Sequence, residues 1–217
     1  MNEDLIRPRL VLVTTPLSDA DAEAAMRAAL EGGDVASVII DPAGRDEAAF
    51  QRFAEMLVPL IQAAGAAAIV ADDTRCAGRV KADGIHLTAG DVGILAEATE
   101  RFTPKLIVGG SGFETRHEAL EAGEALPDYL FFGRLGADLV DAPHEKNLDM
   151  AEWWAEIVEI PCIVMAGRSL DSVGEAAATG AEFVALSAAV FANPKAAGAA
   201  VARANAILDD YPRSEAA

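Results

Sequence analysis

The sequence predicts an α/β protein that folds as a single (β/α)8 TIM barrel. Eight short apolar segments alternate with helix-like segments along 217 residues, which favours a parallel sheet. Hydrophobic residues make up 52% of the chain but aromatic residues only 6%, as expected for strands of Val, Ile and Leu beneath Ala-rich helices. No G-x-G-x-x-G pattern follows the first strand, so a closed barrel is favoured over an open doubly wound sheet. We expect one domain over residues 1–217.

The first half of the chain contains four predicted strand–helix units. Ser18 and Asp19 favour the start of the first helix, and the Gly32-Gly33 pair favours its end. Pro59 lies inside the second predicted helix and predicts a kink or a break there. The predicted strands are 10–15, 35–41, 66–72 and 84–87, and the predicted helices are 19–31, 46–64, 74–81 and 92–102.

The second half repeats this alternation around one long polar loop. The loop follows strand six and extends to about Leu148, a length typical of a lid or a binding loop. Small residues end strands seven and eight, where a phosphate often binds in such barrels. Residues 213–217 are expected to be a frayed end. The predicted strands are 105–111, 129–134, 162–167 and 183–190, and the predicted helices are 115–126, 149–158, 171–179 and 193–210.

Charge and cysteine content exclude several classes of protein. The formal net charge is −18, which argues against nucleic acid and anionic membranes as partners. No apolar run approaches the roughly 20 residues that span a membrane, and residues 1–8 lack a signal-peptide core. Cys76 and Cys162 form neither a disulfide framework nor a zinc-site spacing. We therefore expect a soluble cytoplasmic protein.

Carboxylates follow two neighbouring strands of the predicted barrel. Asp72 and Asp73 end strand three, and Asp91 follows strand four. The active sites of these barrels lie at the carboxyl ends of the strands, where grouped carboxylates suit Mg²⁺ and, through it, a substrate phosphate. The alternative is that Asp73 and Asp91 only cap the helices that follow them.

Histidine and basic residues near other strand ends are further candidates. His86 lies in strand four and points either into the barrel or outward beneath a helix; a structural role is the more common outcome for such a histidine. His144 and Lys146 lie in the strand-six loop, from which they could close over a ligand. Arg134 and Arg168 follow strands six and seven and could each bind a phosphate through two hydrogen bonds, although a surface ion pair is the plain alternative.

The segment VADDTRCAGRVKADGIHLTAGD (70–91) resembles the thiamine phosphate synthase family, which also includes the thiazole tautomerases. DYLFFG (128–133), IPCIVMAG (160–167) and TGAEFVALSAAVF (179–191) fall in the order and spacing of that family. The resemblance extends from about residue 10 to residue 194 and implies a (β/α)8 barrel. The synthases join hydroxymethylpyrimidine diphosphate to thiazole phosphate with Mg²⁺ and release pyrophosphate, so small phosphorylated substrates and a homodimer are also implied.

The resemblance assigns roles to individual positions. Asp72 and Asp91 match the metal ligands of the family, and Ser111 matches the serine of strand five. Gly133 matches the glycine after strand six, and Gly167 matches one glycine of a phosphate-binding pair. The candidate catalytic residues are Ser111, from the resemblance, and His86, from its position in strand four. The candidate phosphate-binding residues are Gly133, Arg134, Gly167, Arg168 and Ser187.

Other positions depart from the family pattern. Strand two of the synthases ends in a Gln-x-Arg-x-Lys pattern that binds pyrophosphate, whereas this chain has Asp41 at the arginine position and no lysine after it. Because a pyrophosphate needs cations, this change reverses a charge beside the anion. The strand-six loop, RLGADLVDAPHEKN, also differs from the family. The departing positions are Ile39, Asp41, Ala71, Ala89, Ala166 and Ala188.

Three functions therefore remain open from the sequence. The first is synthesis of thiamine phosphate, which the retained aspartate pair favours. The second is a tautomerase-like isomerase that uses His86 or His144 as acid and base and needs no metal. The third is a non-catalytic barrel that binds a phosphate ligand. The lost basic cluster favours the second and the third, and the fold does not decide among them.

Overall fold

A computed structural model describes residues 5–211 and 213–214 and shows a closed barrel of eight parallel strands. Each strand pairs with the next, and the last pairs with the first at Leu10 and Val184, which closes the barrel. The predicted fold class is therefore confirmed. The strands are β1 Arg9–Val13, β2 Val35–Ile40, β3 Ala67–Ala71, β4 Gly84–Leu87, β5 Ile107–Ser111, β6 Tyr129–Phe132, β7 Cys162–Met165 and β8 Phe183–Leu186.

Helices cover the outside of the barrel, and several of them begin at polar caps; the first begins at Ala22, after Asp21, and not at Ser18 or Asp19 as predicted. Asp46 accepts a hydrogen bond from the amide of Ala49, and Thr115 forms a reciprocal capping box with Glu118. A 3-10 turn, Pro194–Ala196, precedes the last helix. The helices are α1 Ala22–Glu31, α2 Glu47–Ala63, α3 Thr74–Val80, α4 Val92–Phe102, α5 Arg116–Glu124, α6 Glu145–Ile157, α7 Ser172–Ala178, α8 Ala188–Phe191 and α9 Ala197–Leu208.

The prediction of strand eight was too long. The strand ends at Leu186, and the four residues from Ala188 form the short helix α8 instead. Ser187 leaves the strand conformation, with φ −127° and ψ −84°, and its carbonyl accepts hydrogen bonds from the amides of Val190 and Phe191. A run of small residues has little preference for a strand, so this local turn decides the structure.

The predicted strand-six loop was also too long. Helix α6 begins at Glu145 rather than near residue 149, because His144 caps it: Nδ1 of His144 accepts a hydrogen bond from the amide of Lys146 at 3.2 Å. His144 therefore ends the loop, and Lys146 lies in the first turn of the helix. The loop above the barrel therefore consists only of the residues between the end of β6 and His144.

Two further expectations concern Pro59 and the chain ends. Helix α2 continues through Pro59 without a break. The proline removes one main-chain hydrogen bond, but the helix continues because buried side chains hold the turns on both sides of it. Residues 213–214 pair with residues 5–6 as a two-stranded antiparallel ribbon, so they are not frayed. Residues 1–4 and 215–217, which carry the rest of the predictions about the termini, lie outside the described residues.

The core has two parts, one inside the barrel and one between the barrel and its helices. Alternate strand residues point inward, as the two-residue period of a strand requires. Phe131 and Met165 belong to the interior part, and they reach the carboxyl ends of the strands. Over the described part of the chain, no helix combines the length and apolar character needed to cross a bilayer.

Candidate active site

A cavity of about 620 Å³ opens at the carboxyl ends of β4 to β7. We call it the upper cavity. Phe131 and Met165 contribute to its lining, so its floor is the top of the apolar barrel interior. Active sites of (β/α)8 barrels occupy this end of the fold. Its polar lining residues include Thr88, Glu114, Arg134, Asp138, His144, Lys146 and Asn147.

Asp72 is held at the rim of this end of the barrel by Thr88. The amide and Oγ1 of Thr88 donate hydrogen bonds to the Asp72 carboxylate at 2.9 and 2.5 Å. The amide of Asp72 donates to the carbonyl of His86 at 2.9 Å. Asp72 has a φ of +55°, a conformation that Asp tolerates better than most residues. These bonds fix an exposed carboxylate beside Thr88, which lines the upper cavity.

Asp73 and Asp91 cap helices, as the alternative interpretation predicts. Oδ1 of Asp73 accepts from the amide of Cys76 at 2.8 Å, and Oδ1 of Asp91 accepts from the amide of Ile94 at 3.0 Å. Among residues 5–211 and 213–214, no three His, Cys, Asp or Glu side chains are grouped closely enough to hold a metal ion. A cage made of protein ligands alone is therefore absent from this region.

The aspartates nevertheless fit a largely hydrated Mg²⁺. This ion keeps several waters and is commonly held by one or two carboxylates together with substrate phosphates. Asp72 and Asp91 are both exposed and follow the paired strands β3 and β4. The cap at Asp91 uses one carboxylate oxygen, so capping and metal binding are compatible at this residue.

His86 points into the barrel, where it joins two hydroxyl groups. Its Nδ1 lies 3.0 Å from the Tyr129 hydroxyl, and its Nε2 lies 3.0 Å from Oγ of Ser111. The imidazole is fully buried, and this burial lowers its pKa to about 4, so the ring is neutral at pH 7. The ring of Phe131 contacts His86 edge-on at 5.5 Å between centroids.

The buried cluster of His86, Ser111 and Tyr129 therefore lies beside the floor of the upper cavity, and none of the three residues is part of the lining. The Tyr129 ring occupies space that Gly109 leaves, since a Cβ at Gly109 would overlap the ring. Burial also raises the pKa of the Tyr129 hydroxyl. The geometry supports a role for His86 in fixing the barrel interior, and direct contact of His86 or Ser111 with a substrate stays a prediction.

Two basic side chains reach the upper cavity. Arg134 is exposed and has no ion-pair partner among the described residues. Nζ of Lys146 lies 3.6 Å from Oε2 of Glu114, which also lines the cavity. Asp41, at the arginine position of the family pattern, accepts a hydrogen bond from Thr15 at 2.5 Å. The cations available to an anion in this cavity thus come from β6 and α6, not from β2.

Residues 135–142, which we call the strap, cover the predicted phosphate-binding residues of β7 and β8. The amide of Arg168 donates to the carbonyl of Val140 at 2.7 Å, and a Cβ at Gly167 would overlap main-chain atoms of the strap. The amide of Gly167 donates to Oγ of Ser172. Ser187 is buried next to this region. Of the five candidate phosphate-binding residues, the structure places only Gly133 and Arg134 in the cavity lining.

Asp138 of the strap was not predicted as a site residue. Its carboxylate accepts a hydrogen bond from the amide of Ala188, at the start of α8, at 2.5 Å. Asp138 is 5% exposed, and burial raises its pKa while the amides of residues 187–189 oppose that shift. This contact joins residues 50 positions apart, so no local sequence pattern indicates it.

Tyr129 is a second residue of the site that the sequence analysis did not name. Its alternation with Phe131 in β6 is a sequence signal that places its hydroxyl inside the barrel.

Gly133 gives a direct test of how the cavity floor is built. Its φ is +146°, and an added Cβ would overlap the side chains of Met165 and Phe131. We expect Gly133→Ala to lower the free energy of unfolding by roughly 2–4 kcal/mol, from overpacking and backbone strain. Urea denaturation measures this. Gly78→Ala is the control, because Gly78 lies in α3 with open space around it, and alanine there should stabilise by about 0.5–1 kcal/mol. Equal effects of the two variants would contradict the packing argument.

Comparison with known proteins identifies relatives over nearly the whole chain. A family model described as thiamine monophosphate synthase matches residues 10–190. The thiamine-phosphate synthase of Rhodospirillum centenum is 33% identical over 202 residues, 92% of this chain and 97% of that protein. The synthase of Erythrobacter litoralis is 36% identical over 158 residues, 71% of this chain and 73% of that protein. A solved structure of thiamine phosphate pyrophosphorylase from Pyrococcus furiosus has a TM-score of 0.77 at 25% identity, covering 94% of this chain and 96% of that one.

Proposed function

This chain belongs to the thiamine monophosphate synthase family, and from that premise we propose that it joins hydroxymethylpyrimidine diphosphate to thiazole phosphate to form thiamine phosphate. One observation carries the proposal: Thr88, which lines the upper cavity, fixes the exposed Asp72 carboxylate at this end of the barrel. Asp72 and Asp91 are the matched metal positions of the family, and they follow neighbouring strands of the barrel.

In the proposed reaction, the bond between the pyrimidine methylene carbon and the diphosphate oxygen breaks, and its electron pair leaves with pyrophosphate. The thiazole nitrogen supplies the pair for the new C–N bond. The protein's part is to position the two substrates and to stabilise negative charge on the leaving group. Mg²⁺ held by Asp72 and Asp91 would neutralise part of the diphosphate charge.

The residues of the upper cavity can perform these tasks. Arg134 and Lys146 supply positive charge from β6 and α6, where it compensates for the acidic end of β2. Phe131 and Met165 provide an apolar floor, against which a flat heterocycle can pack with little water. The barrel thus offers carboxylates for a metal at its rim, two basic side chains for phosphate groups and an apolar floor for a ring.

His144 gives the tautomerase-like alternative a specific basis. It is exposed, it lines the upper cavity, and its Nδ1 accepts the amide hydrogen bond of Lys146. That bond orients the ring and leaves Nε2 for proton transfer to or from a ligand. This alternative differs from the synthase proposal in one measurable respect, because an isomerase that uses His144 needs neither Mg²⁺ nor a diphosphate.

The experiment that tests the proposal is a calorimetric titration with hydroxymethylpyrimidine diphosphate, with and without Mg²⁺, followed by detection of thiamine phosphate by mass spectrometry after thiazole phosphate is added. We expect binding that requires Mg²⁺ and turnover that releases one pyrophosphate per product. Binding without turnover would favour the non-catalytic barrel. No binding under either condition would contradict the synthase proposal.

A further inference from the structure

The amides at the start of α8 already hold a carboxyl group, and that group belongs to the chain itself. The Asp138 carboxylate accepts from the amide of Ala188 at 2.5 Å, and the amides of Ser187 and Ala189 also favour its ionised form. Successive main-chain amides of this kind are a general site for phosphate and carboxylate groups. In (β/α)8 barrels a phosphate often sits after strands seven and eight, at the start of a short extra helix. Here Asp138 takes that place.

A second observation concerns Ser187, the residue that precedes α8. Its Oγ is fully buried and has no hydrogen-bond partner among the described residues. A buried hydroxyl without a partner is uncommon and carries an energetic cost. The site therefore contains one polar group that the Asp138 carboxylate does not satisfy. A phosphate has more acceptor oxygens than a carboxylate, so it could bind the amides and this hydroxyl together.

The upper cavity gives a ligand access to this place. Asp138 contributes to the cavity lining although it is only 5% exposed. A ligand that fills the cavity therefore lies against the strap at Asp138.

The strap is built so that it can be displaced. Its neighbouring residues Leu139 and Val140 are 75% and 67% exposed, so they contribute little apolar burial to holding it in place. Main-chain hydrogen bonds hold this part of the strap instead, from Arg168 to Val140 at 2.7 Å and from Ser169 to Asp141 at 3.2 Å, while Leu135 at its start packs against the barrel interior. Breaking such bonds at the surface costs little, because water replaces them.

We propose that Asp138 is an internal competitor for the phosphate group of the acceptor substrate, which must displace the strap from the start of α8 in order to bind. The inference rests on the proposed function in one respect, that the acceptor carries a phosphate monoester. Only molecules in which the strap is displaced can bind the phosphate. The apparent affinity is therefore the intrinsic affinity multiplied by the fraction of such molecules. If the strap is in place about 90% of the time, removing Asp138 should tighten phosphate binding roughly tenfold.

The test uses inorganic phosphate as the probe, with neither Mg²⁺ nor a pyrimidine substrate, so its outcome does not depend on synthase activity. Calorimetry compares the wild-type protein with Asp138→Ala, Asp138→Asn and Asp141→Ala. Asp141→Ala is the matched control, because it removes one exposed negative charge from the same strap and leaves Asp138 intact. We expect phosphate binding to tighten at least tenfold in Asp138→Ala, less in Asp138→Asn, and by no more than twofold in Asp141→Ala. Equal affinities in Asp138→Ala and Asp141→Ala would overturn the proposal.

A second measurement on the wild-type protein covers the case in which Asp138→Ala does not fold. Amide hydrogen exchange reports on the Arg168 amide, which donates to the strap, and on the Ala188 amide, which donates to Asp138. We expect saturating phosphate to speed exchange at Arg168 and to leave Ala188 protected. Protection of Ala188 with unchanged exchange at Arg168 would overturn the proposal, since phosphate would then bind without moving the strap. Unchanged exchange at both amides under saturating phosphate would also contradict it.

Discussion

Replacing Asp91 with asparagine should lower the rate of thiamine phosphate formation by roughly 100-fold or more while the barrel stays folded. Asparagine is as good a helix cap as aspartate, so the hydrogen bond to the amide of Ile94 can be kept. The substitution removes the negative charge that we propose holds Mg²⁺. Loss of one charge-stabilising group in an active site commonly costs about 10²–10³-fold in rate. Product formation at saturating substrate and a range of Mg²⁺ concentrations measures the effect.

Asp72→Ala should cause a loss of similar size, and Thr88→Val should cause a smaller one of about 10–100-fold. Thr88 does not bind the metal in our proposal; its hydroxyl donates to Asp72 and orients it, and such supporting residues typically contribute on that scale. Higher Mg²⁺ should partly restore Thr88→Val, whereas a loss that arises only from misfolding would not respond to the metal.

Asp73→Ala is the matched control for both aspartates. It removes the neighbouring carboxylate, which caps α3, and should cost about 1 kcal/mol of stability with little change in rate. If Asp91→Asn and Asp72→Ala kept full activity while Asp73→Ala lost it, the metal assignment would be wrong and the chemistry would depend on a different carboxylate.

Replacing His86 with alanine should destabilise the protein by about 3–5 kcal/mol. The variant leaves a cavity in the barrel interior and removes the partner of two buried hydroxyl groups, those of Ser111 and Tyr129. Tyr129→Phe should cost less, about 1–2 kcal/mol, because it removes one hydroxyl and creates no large cavity. His117→Ala is the control: His117 lies on α5 and is exposed, so its replacement should change stability by less than about 0.5 kcal/mol. Urea denaturation at pH 7 separates these outcomes.

The same histidine should make the protein less stable in mild acid. Burial lowers the pKa of His86 from 6.5 to about 4 in the folded state, so the unfolded chain binds a proton in this range and the folded chain does not. Stability due to His86 is therefore fully present above pH 6.5 and is lost as the pH falls toward 4, by roughly 3 kcal/mol in all. Other groups also titrate in this range, so the difference between wild type and His86→Gln isolates the contribution. A difference that does not change between pH 7 and pH 4 would show that His86 is not buried in its neutral form.

The function of His86 is tested by activity measured separately from stability. If His86 only fixes the barrel interior, His86→Gln should keep most of its rate at temperatures where the variant is folded, and the pH profile of the rate should not change. A catalytic acid or base would instead shift that profile and lower the rate of the folded variant by about 10²–10⁴-fold. The two readouts separate a positioning role from direct participation.

The sequence by itself determined the fold and most of the element boundaries. Helix α4 and strand β4 lie where the apolar pattern and the turn residues predict them, because these signals act over a few neighbouring residues. The family could also be identified from the sequence, because the motif that contains Asp72 and Asp91 is one contiguous segment. Where local preference was weak, as in the alanine-rich stretch after Leu186, the prediction placed a strand where the structure has a helix.

Only the tertiary structure decided what the candidate residues contact. Whether His86 points inward depends on the register of β4 against β5 and on the Tyr129 ring beside Gly109. That the predicted phosphate-binding residues of β7 and β8 are covered depends on the strap, whose Asp138 bonds Ala188, 50 residues further along the chain. A sequence pattern reports the properties of neighbours along the chain, whereas these contacts form only when the closed barrel brings distant strand ends together. The chemistry of the site therefore follows from the barrel's closure, while the barrel itself follows from local pattern.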